Sequence, residues 1–165
     1  MKNKPKILIS ACLLGENCKY NGGNNSDAIP ADALAKLRQI YELIAVCPEC
    51  MGGLTTPREP AEICANGRVL TKFSGCDVTA EFILGAQICA EIASENGCKI
   101  AVLKERSPSC GSGEIYDGSF TGRLVSGDGI TAAALKSLGV RVVGESALSE
   151  LNLEKEAENG RVDKH

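Results

Sequence analysis

Four short apolar runs set the rhythm of this chain. Residues 6–11, 43–46, 98–104 and 140–144 are rich in Ile, Leu, Val and Ala, and each stops abruptly at a polar or breaker-rich stretch. Runs of that length and composition predict buried strands. Between the first two, Leu34, Leu37, Ile40 and Tyr41 recur at helical spacing, so residues 30–41 predict an amphipathic helix with Pro30 in its first turn. Between the second and third, Val78, Phe82, Gly85, Ala86, Cys89, Ile92 and Ala93 trace one apolar face. Asp77 is placed to cap that helix and Asn96-Gly97 to stop it. Residues 129–138 predict a third helix closed by Gly139, and Ser146 is placed to cap a fourth from 147 to about 157. Residues 67–73 read as a short strand or extended arm.

Short buried strands alternating with helices predict an α/β fold: one three-layer, Rossmann-like domain over residues 1–157, its mostly parallel sheet covered on both faces. The charged stretch 158–165 reads as a frayed tail and holds the one histidine, His165. Residues 16–26, 52–60, 105–113 and 115–123 are dense in Gly, Pro, Asn and Ser and read as loops. In an open α/β sheet, ligands bind beyond the carboxyl ends of the strands. No Gly-x-Gly-x-x-Gly follows the first strand and no Walker A sequence is present, so a nucleotide cofactor is not indicated.

Composition narrows the function. The 165 residues are 44% hydrophobic and 24% charged with a net charge of −3, which fits a small-molecule partner better than a grip on nucleic-acid backbone. No apolar run reaches the roughly 20 residues that span a bilayer, and the N-terminus lacks the pattern of a signal peptide. A cytoplasmic protein is expected. Nine cysteines are an odd number and too sparse for a disulfide scaffold, so some are expected to serve metal or redox chemistry.

Position along the strands separates the cysteines. Cys12, Cys47 and Cys110 each lie just past the end of a predicted strand, so a parallel sheet brings them to one side. Cys89 on the apolar helix face and Cys98 at a strand start read as buried packing residues. Cys18, Cys64 and Cys76 read as loop residues without a role. Cys50 makes Cys-x-x-Cys with Cys47, but Gly52-Gly53 and two prolines follow where a thioredoxin-type motif would open a helix, and no second Cys-x-x-Cys completes a zinc site. Three convergent thiolates without a histidine match an iron–sulfur cluster that leaves one iron open to a soft sulfur ligand.

Several motifs in order carry a resemblance to a known family. Ser10-Ala11-Cys12-Leu13-Leu14-Gly15, Cys47-Pro48-Glu49, Gly52-Gly53-Leu54-Thr55-Thr56-Pro57-Arg58, Ser107-Pro108-Ser109-Cys110-Gly111, Tyr116-Asp117-Gly118-Ser119-Phe120 and Gly127-Asp128-Gly129-Ile130-Thr131 resemble the bacterial thiouracil desulfidases. The resemblance runs from Lys6 to Glu145. It implies a [4Fe-4S] cluster held by Cys12, Cys47 and Cys110, and non-redox replacement of sulfur by oxygen on a thiolated pyrimidine base, nucleoside or nucleotide. It also implies catalytic roles for Glu49, as acid and base toward water, and for Ser107. Arg58 and Ser109 are candidates to touch substrate, although Arg58 reads equally as an ion-pair residue and Ser107 as a turn-former before Pro108. The family's usual residue at the Cys50 position is aliphatic, which leaves Cys50 open between assisting the cluster, capping the open iron and packing. Two other readings stand beside this one: a structural zinc or iron–sulfur site, and a thiol–disulfide oxidoreductase acting through Cys47 and Cys50.

Overall fold

The computed structural model describes residues 3–151. In chain order the strands are β1 (Lys6–Ser10), β2 (Glu42–Val46), β3 (Ala61–Ile63), β4 (Val69–Thr71), β5 (Ile100–Leu103), β6 (Glu114–Tyr116), β7 (Leu124–Ser126) and β8 (Arg141–Gly144). The helices are α1 (Ala31–Ile40), α2 (Pro48–Met51), α3 (Thr79–Glu95) and α4 (Ile130–Ser137). The four strands expected from apolar runs form one sheet in the order β2-β1-β5-β8, with every pair parallel. The α/β reading with a parallel sheet therefore holds.

Alternation along the central strands builds a core on each face. Ile7 and Ile9 of β1 and Val102 of β5 pack with Leu37 of α1, Leu13, Leu148 and Leu151. Leu8, Ala101 and Leu103 point the other way, onto Cys89 and Ala93 of α3 and Ala132 and Leu135 of α4. A one-residue slip in either strand would exchange the two sets, so the pattern fixes the register. That register sets Ser10 beside Val46 and Ile9 beside Val102, so β1, β2 and β5 end together.

Several details differ from the sequence reading. Pro30 precedes α1 as its cap and does not occupy its first turn. Cys47-Pro48-Glu49-Cys50 does open a helix, the single turn α2, in which Pro48 takes the first position where a missing N–H costs nothing. The two glycines end this turn without preventing it. Two hairpins complete the fold: β3 pairs antiparallel with β4, which lies within the short strand expected at 67–73, and β6 with β7, the two strands bracketing the 115–123 stretch expected as loop. Asp77 acts at the start of α3 from one residue further out than a formal cap, its Oδ1 accepting from Thr79 N–H at 3.0 Å and from the Thr79 hydroxyl. Residues 148–151 are helical; the rest of the expected final helix, the tail 158–165 and His165 lie outside the described residues. Among the described residues, no helix is long and apolar enough to cross a membrane.

Candidate active site

The carboxyl ends of β1, β2 and β5 open into a cavity of about 560 Å³. Its lining includes Cys12, Cys18, Cys47 and Cys110 together with Glu49, Arg58, Ser107 and Ser109. Residues spread over nearly a hundred positions meet because the strands that deliver them are adjacent in the sheet. Every residue expected at the site is there.

Each thiol is delivered by a different local device. Cys12 sits in the 3₁₀ turn Ala11–Leu14 that follows β1, where Asn25 hydrogen-bonds its side chain and Asn25 N–H donates to its carbonyl at 2.8 Å. Cys47 is the last extended residue before α2. Cys110 ends a turn built by Ser107, whose Oγ accepts from the N–H groups of Ser109 and Cys110, both at 3.1 Å. This is the hydroxyl-capped turn expected of Ser before Pro.

The platform under Cys47 is a backbone contact between α2 and α3. A Cβ on Gly85 would lie 1.9 Å from the Pro48 carbonyl oxygen, and one on Gly52 would lie 1.9 Å from the Glu81 carbonyl oxygen. Only glycine at both positions lets the turn seat this deeply. Behind it, Met51 meets the buried Cys89 at 3.8 Å between sulfurs, which confirms Cys89 as a packing residue.

Glu49 is held from both ends. Arg58 Nε donates to Oε1 at 3.1 Å and the Ser109 hydroxyl donates to Oε2 at 2.9 Å. The Ser107 and Ser109 hydroxyls are 2.9 Å apart, so the three side chains form one hydrogen-bonded line ending on the carboxylate. Arg58 also donates to the carbonyls of Thr55 at 3.1 Å and Cys18 at 3.0 Å and to the Thr56 hydroxyl at 3.1 Å. Its guanidinium thus clamps three segments to one another, a use of its planar fork that lysine lacks. Burial works against its charge, yet the Glu49 carboxylate beside it raises the Arg58 pKa above its ordinary value.

Cys18, read from sequence as a bystander, is the site residue that the chain pattern concealed. Its carbonyl faces the Cys47 and Cys50 sulfurs, each at 3.9 Å, and its thiol lies within hydrogen-bond reach of Cys47. Cys50 stands behind Cys47, near the Thr56 hydroxyl at 3.3 Å and Arg58 Nη1 at 3.8 Å. Cys64 and Cys76 belong to the β3–β4 region and do not line the cavity.

Burial raises the pKa of the Cys12, Cys18 and Cys47 thiols above the ordinary value and pushes Cys110 up to about 11. Thiolates gathered in so dry a place call for a compensating cation, which is the situation of a metal-binding donor set. Among the described residues, no group of His, Cys, Asp or Glu converges tightly enough to hold a single metal ion. A polynuclear cluster asks for something different, because each thiolate binds a separate iron and the sulfurs stand apart around a cavity. Cys12, Cys47 and Cys110 on the wall of one cavity fit that requirement.

Residues 7–147 match the model of a family described as 2-thiouracil desulfurase. Over 153 residues the chain is 41% identical to the uncharacterised protein YbbK of Bacillus subtilis (strain 168), an overlap of 88% of this chain and 99% of that one. A solved structure described as the [4Fe-4S]-dependent thiouracil desulfidase TudS matches with a TM-score of 0.83 at 44% identity, covering 93% of this chain and 99% of the other.

Proposed function

The chain belongs to the 2-thiouracil desulfurase family, and on that premise we propose that its cavity exchanges sulfur for oxygen on a thiolated pyrimidine. The net reaction is thiouracil plus water giving uracil plus hydrogen sulfide, with no change of oxidation state. The observation that carries this reading is the placement of Cys12, Cys47 and Cys110 around one cavity that also holds a doubly anchored Glu49. These three cysteines would hold a [4Fe-4S] cluster, which would supply a Lewis acid with a preference for the soft thiocarbonyl sulfur over harder ligands.

Glu49 does the proton work. Its carboxylate takes a proton from the water that attacks the ring carbon, then returns one to the ring nitrogen or to the departing sulfur. Positioned acid–base assistance of this kind contributes about 10²- to 10⁴-fold. Arg58 and Ser109 fix the two oxygens, so the carboxylate meets substrate in one orientation. Ser107 shapes the turn that presents Cys110 and, through Ser109, stands one hydrogen bond from Glu49. Arg58 contributes by orienting Glu49, since its donors are directed at protein acceptors, and Ser109 likewise acts through the carboxylate.

One observation favours a second reading. Cys18 lies beside Cys47 and its carbonyl faces the Cys47 and Cys50 sulfurs, a grouping that a thiol–disulfide enzyme or a closed iron–sulfur site would use. Anaerobic reconstitution with iron and sulfide separates the two. Wild type and the Cys12→Ser, Cys18→Ser, Cys47→Ser, Cys50→Ser and Cys110→Ser variants are assayed for bound iron and for uracil formed from 2-thiouracil and 4-thiouracil. The desulfidase reading expects about four irons per chain and loss of both iron and activity in the Cys12, Cys47 and Cys110 variants alone. Loss in the Cys18 and Cys50 variants with Cys12 and Cys110 dispensable would establish the second.

A further inference from the structure

Aromatic residues are scarce here: three Phe, three Tyr and no Trp in 165 residues. Tyr41 and Phe82 are buried in the core and Phe73 stands exposed in the turn that follows β4. The other three, Tyr20, Tyr116 and Phe120, all line the cavity. Of these, Phe120 is held in the least ordinary way. Its φ is 59°, the left-handed region that bulky residues avoid, in a half-buried position with no core to fill. Asn or Gly would meet the same turn without strain. A bulky residue persists in that conformation where the surrounding structure over-determines it, and such sites cluster at ligand clamps.

The surroundings do over-determine it. Glu62 of β3 reaches across from the other hairpin, and its Oε1 accepts from the N–H of Gly118 at 2.9 Å and of Phe120 at 3.1 Å. Gly118 lies so close to β3 that a Cβ there would come within 2.8 Å of the Ile63 carbonyl oxygen and of Cys64 Cα. Asp117 Oδ1 accepts from Ser119 N–H at 2.9 Å, and Asp117 N–H donates to the Arg123 carbonyl at 3.0 Å. The two hairpins are thereby locked into one wall facing the three sheet-end cysteines.

We propose that Phe120 is the stacking residue for the flat pyrimidine ring of the substrate, and that Glu62 is the positioning residue that holds it over the cavity. This deepens the desulfidase reading and rests on it. A phenyl face recognises any planar base without reading its edge, leaving the edge to polar groups deeper in the cavity. It also covers the side of the ring away from the sheet and so limits the water that reaches the reacting carbon.

The test uses the iron-loaded enzyme. Stacking on an aromatic face predicts a KM for 2-thiouracil raised about 5- to 100-fold in Phe120→Leu, with kcat changed far less, and a KM near wild type in Phe120→Tyr. Glu62→Ala raises KM in the same way, while Glu62→Gln, which keeps one carbonyl oxygen for both N–H groups, restores it. The Glu62→Ala/Phe120→Leu double variant adds little to either single change, as expected of residues acting as one unit. Calorimetric titration gives a second readout, because 5,6-dihydrouracil keeps the edge groups of uracil and loses the planar ring. Wild type binds uracil more tightly than dihydrouracil, and Phe120→Leu, if it folds, loses that preference. An unchanged KM in Phe120→Leu, or a wild type indifferent to ring planarity, overturns the proposal while leaving the desulfidase reading intact. An iron-loaded wild type that neither binds nor converts any thiolated pyrimidine overturns both.

Discussion

Arg58 and Glu49 form an ion pair of 3.1 Å in which the arginine side chain is 9% and the glutamate side chain 18% exposed. At that burial, removal of one partner leaves the other's charge poorly solvated, which costs more than the pair itself contributes. Arg58→Ala is therefore expected to lower unfolding free energy by about 2 to 4 kcal/mol in urea titrations, together with loss of desulfuration. Arg58→Lys restores the charge and not the fork to Thr55, Thr56 and Cys18, so it recovers part of the stability and little of the activity. The double variant Arg58→Met/Glu49→Gln regains stability and stays inactive. If Arg58→Ala leaves stability unchanged, the clamp is not holding the three segments together.

The serines divide the work differently. The Ser109 hydroxyl points to Glu49, whereas the Ser107 hydroxyl builds the backbone turn of Cys110. Ser109→Ala is expected to retain iron while kcat falls about 10- to 100-fold, the magnitude of one hydrogen bond to a charged group. Ser107→Ala, which removes a turn as well as a hydroxyl, is expected to lower both iron content and activity. Iron content measured beside kcat distinguishes them, and equal iron loss in both variants would contradict this division.

What could be read from the chain follows from how local each signal is. The four central strands stood out because fully buried strands are continuous apolar runs, and Cys12, Cys47 and Cys110 followed from where those runs end. The hairpins did not stand out, since Ala61–Ile63, Glu114–Tyr116 and Leu124–Ser126 are three residues each, half exposed and partly charged, with too little alternation to register. Cys18 escaped for a related reason. Its place depends on the 16–26 loop folding back so that Arg58 N–H reaches the Tyr20 carbonyl at 2.7 Å, a contact across 38 residues that no local pattern announces. From sequence Arg58 reads equally as a substrate contact or an ion-pair residue and Ser109 as a substrate contact; the geometry adds that Arg58 pairs with Glu49 and that the Ser109 hydroxyl donates to the same carboxylate.

Acid should expose the start of α3. The Asp77 pKa is depressed to about 2, first by the Thr79 hydroxyl, then by Thr79 N–H and Arg68. A carboxylate depressed in the folded state contributes stability that is complete above its unfolded value, about 3.9, and fades as pH falls through the folded one. The stability difference between wild type and Asp77→Asn is expected to be constant from about pH 5 upward and to shrink between about pH 4 and pH 2. Urea midpoints across that range test it. A difference that grows in acid would assign the depression to the wrong carboxylate.

The seat of Cys47 offers a test in which two effects oppose each other. Gly85 lies inside the 17-residue helix α3, where replacing glycine by alanine normally stabilises by about 1 kcal/mol. Here the added methyl would sit 1.9 Å from the carbonyl oxygen of Pro48, a backbone atom that cannot rotate away. Relief requires α2 to lift off α3, and forced overpacking of this kind costs about 1 to 3 kcal/mol or more. The clash wins, so Gly85→Ala is expected to lower the melting temperature. Because α2 carries Cys47 and Glu49, the same variant is expected to bind less iron on reconstitution. Gly52→Ala meets the Glu81 carbonyl oxygen at the same distance from the other side and should behave alike. A Gly85→Ala protein that melts higher and loads iron normally would show that α2 is free to move, and that this backbone contact does not position the cysteine.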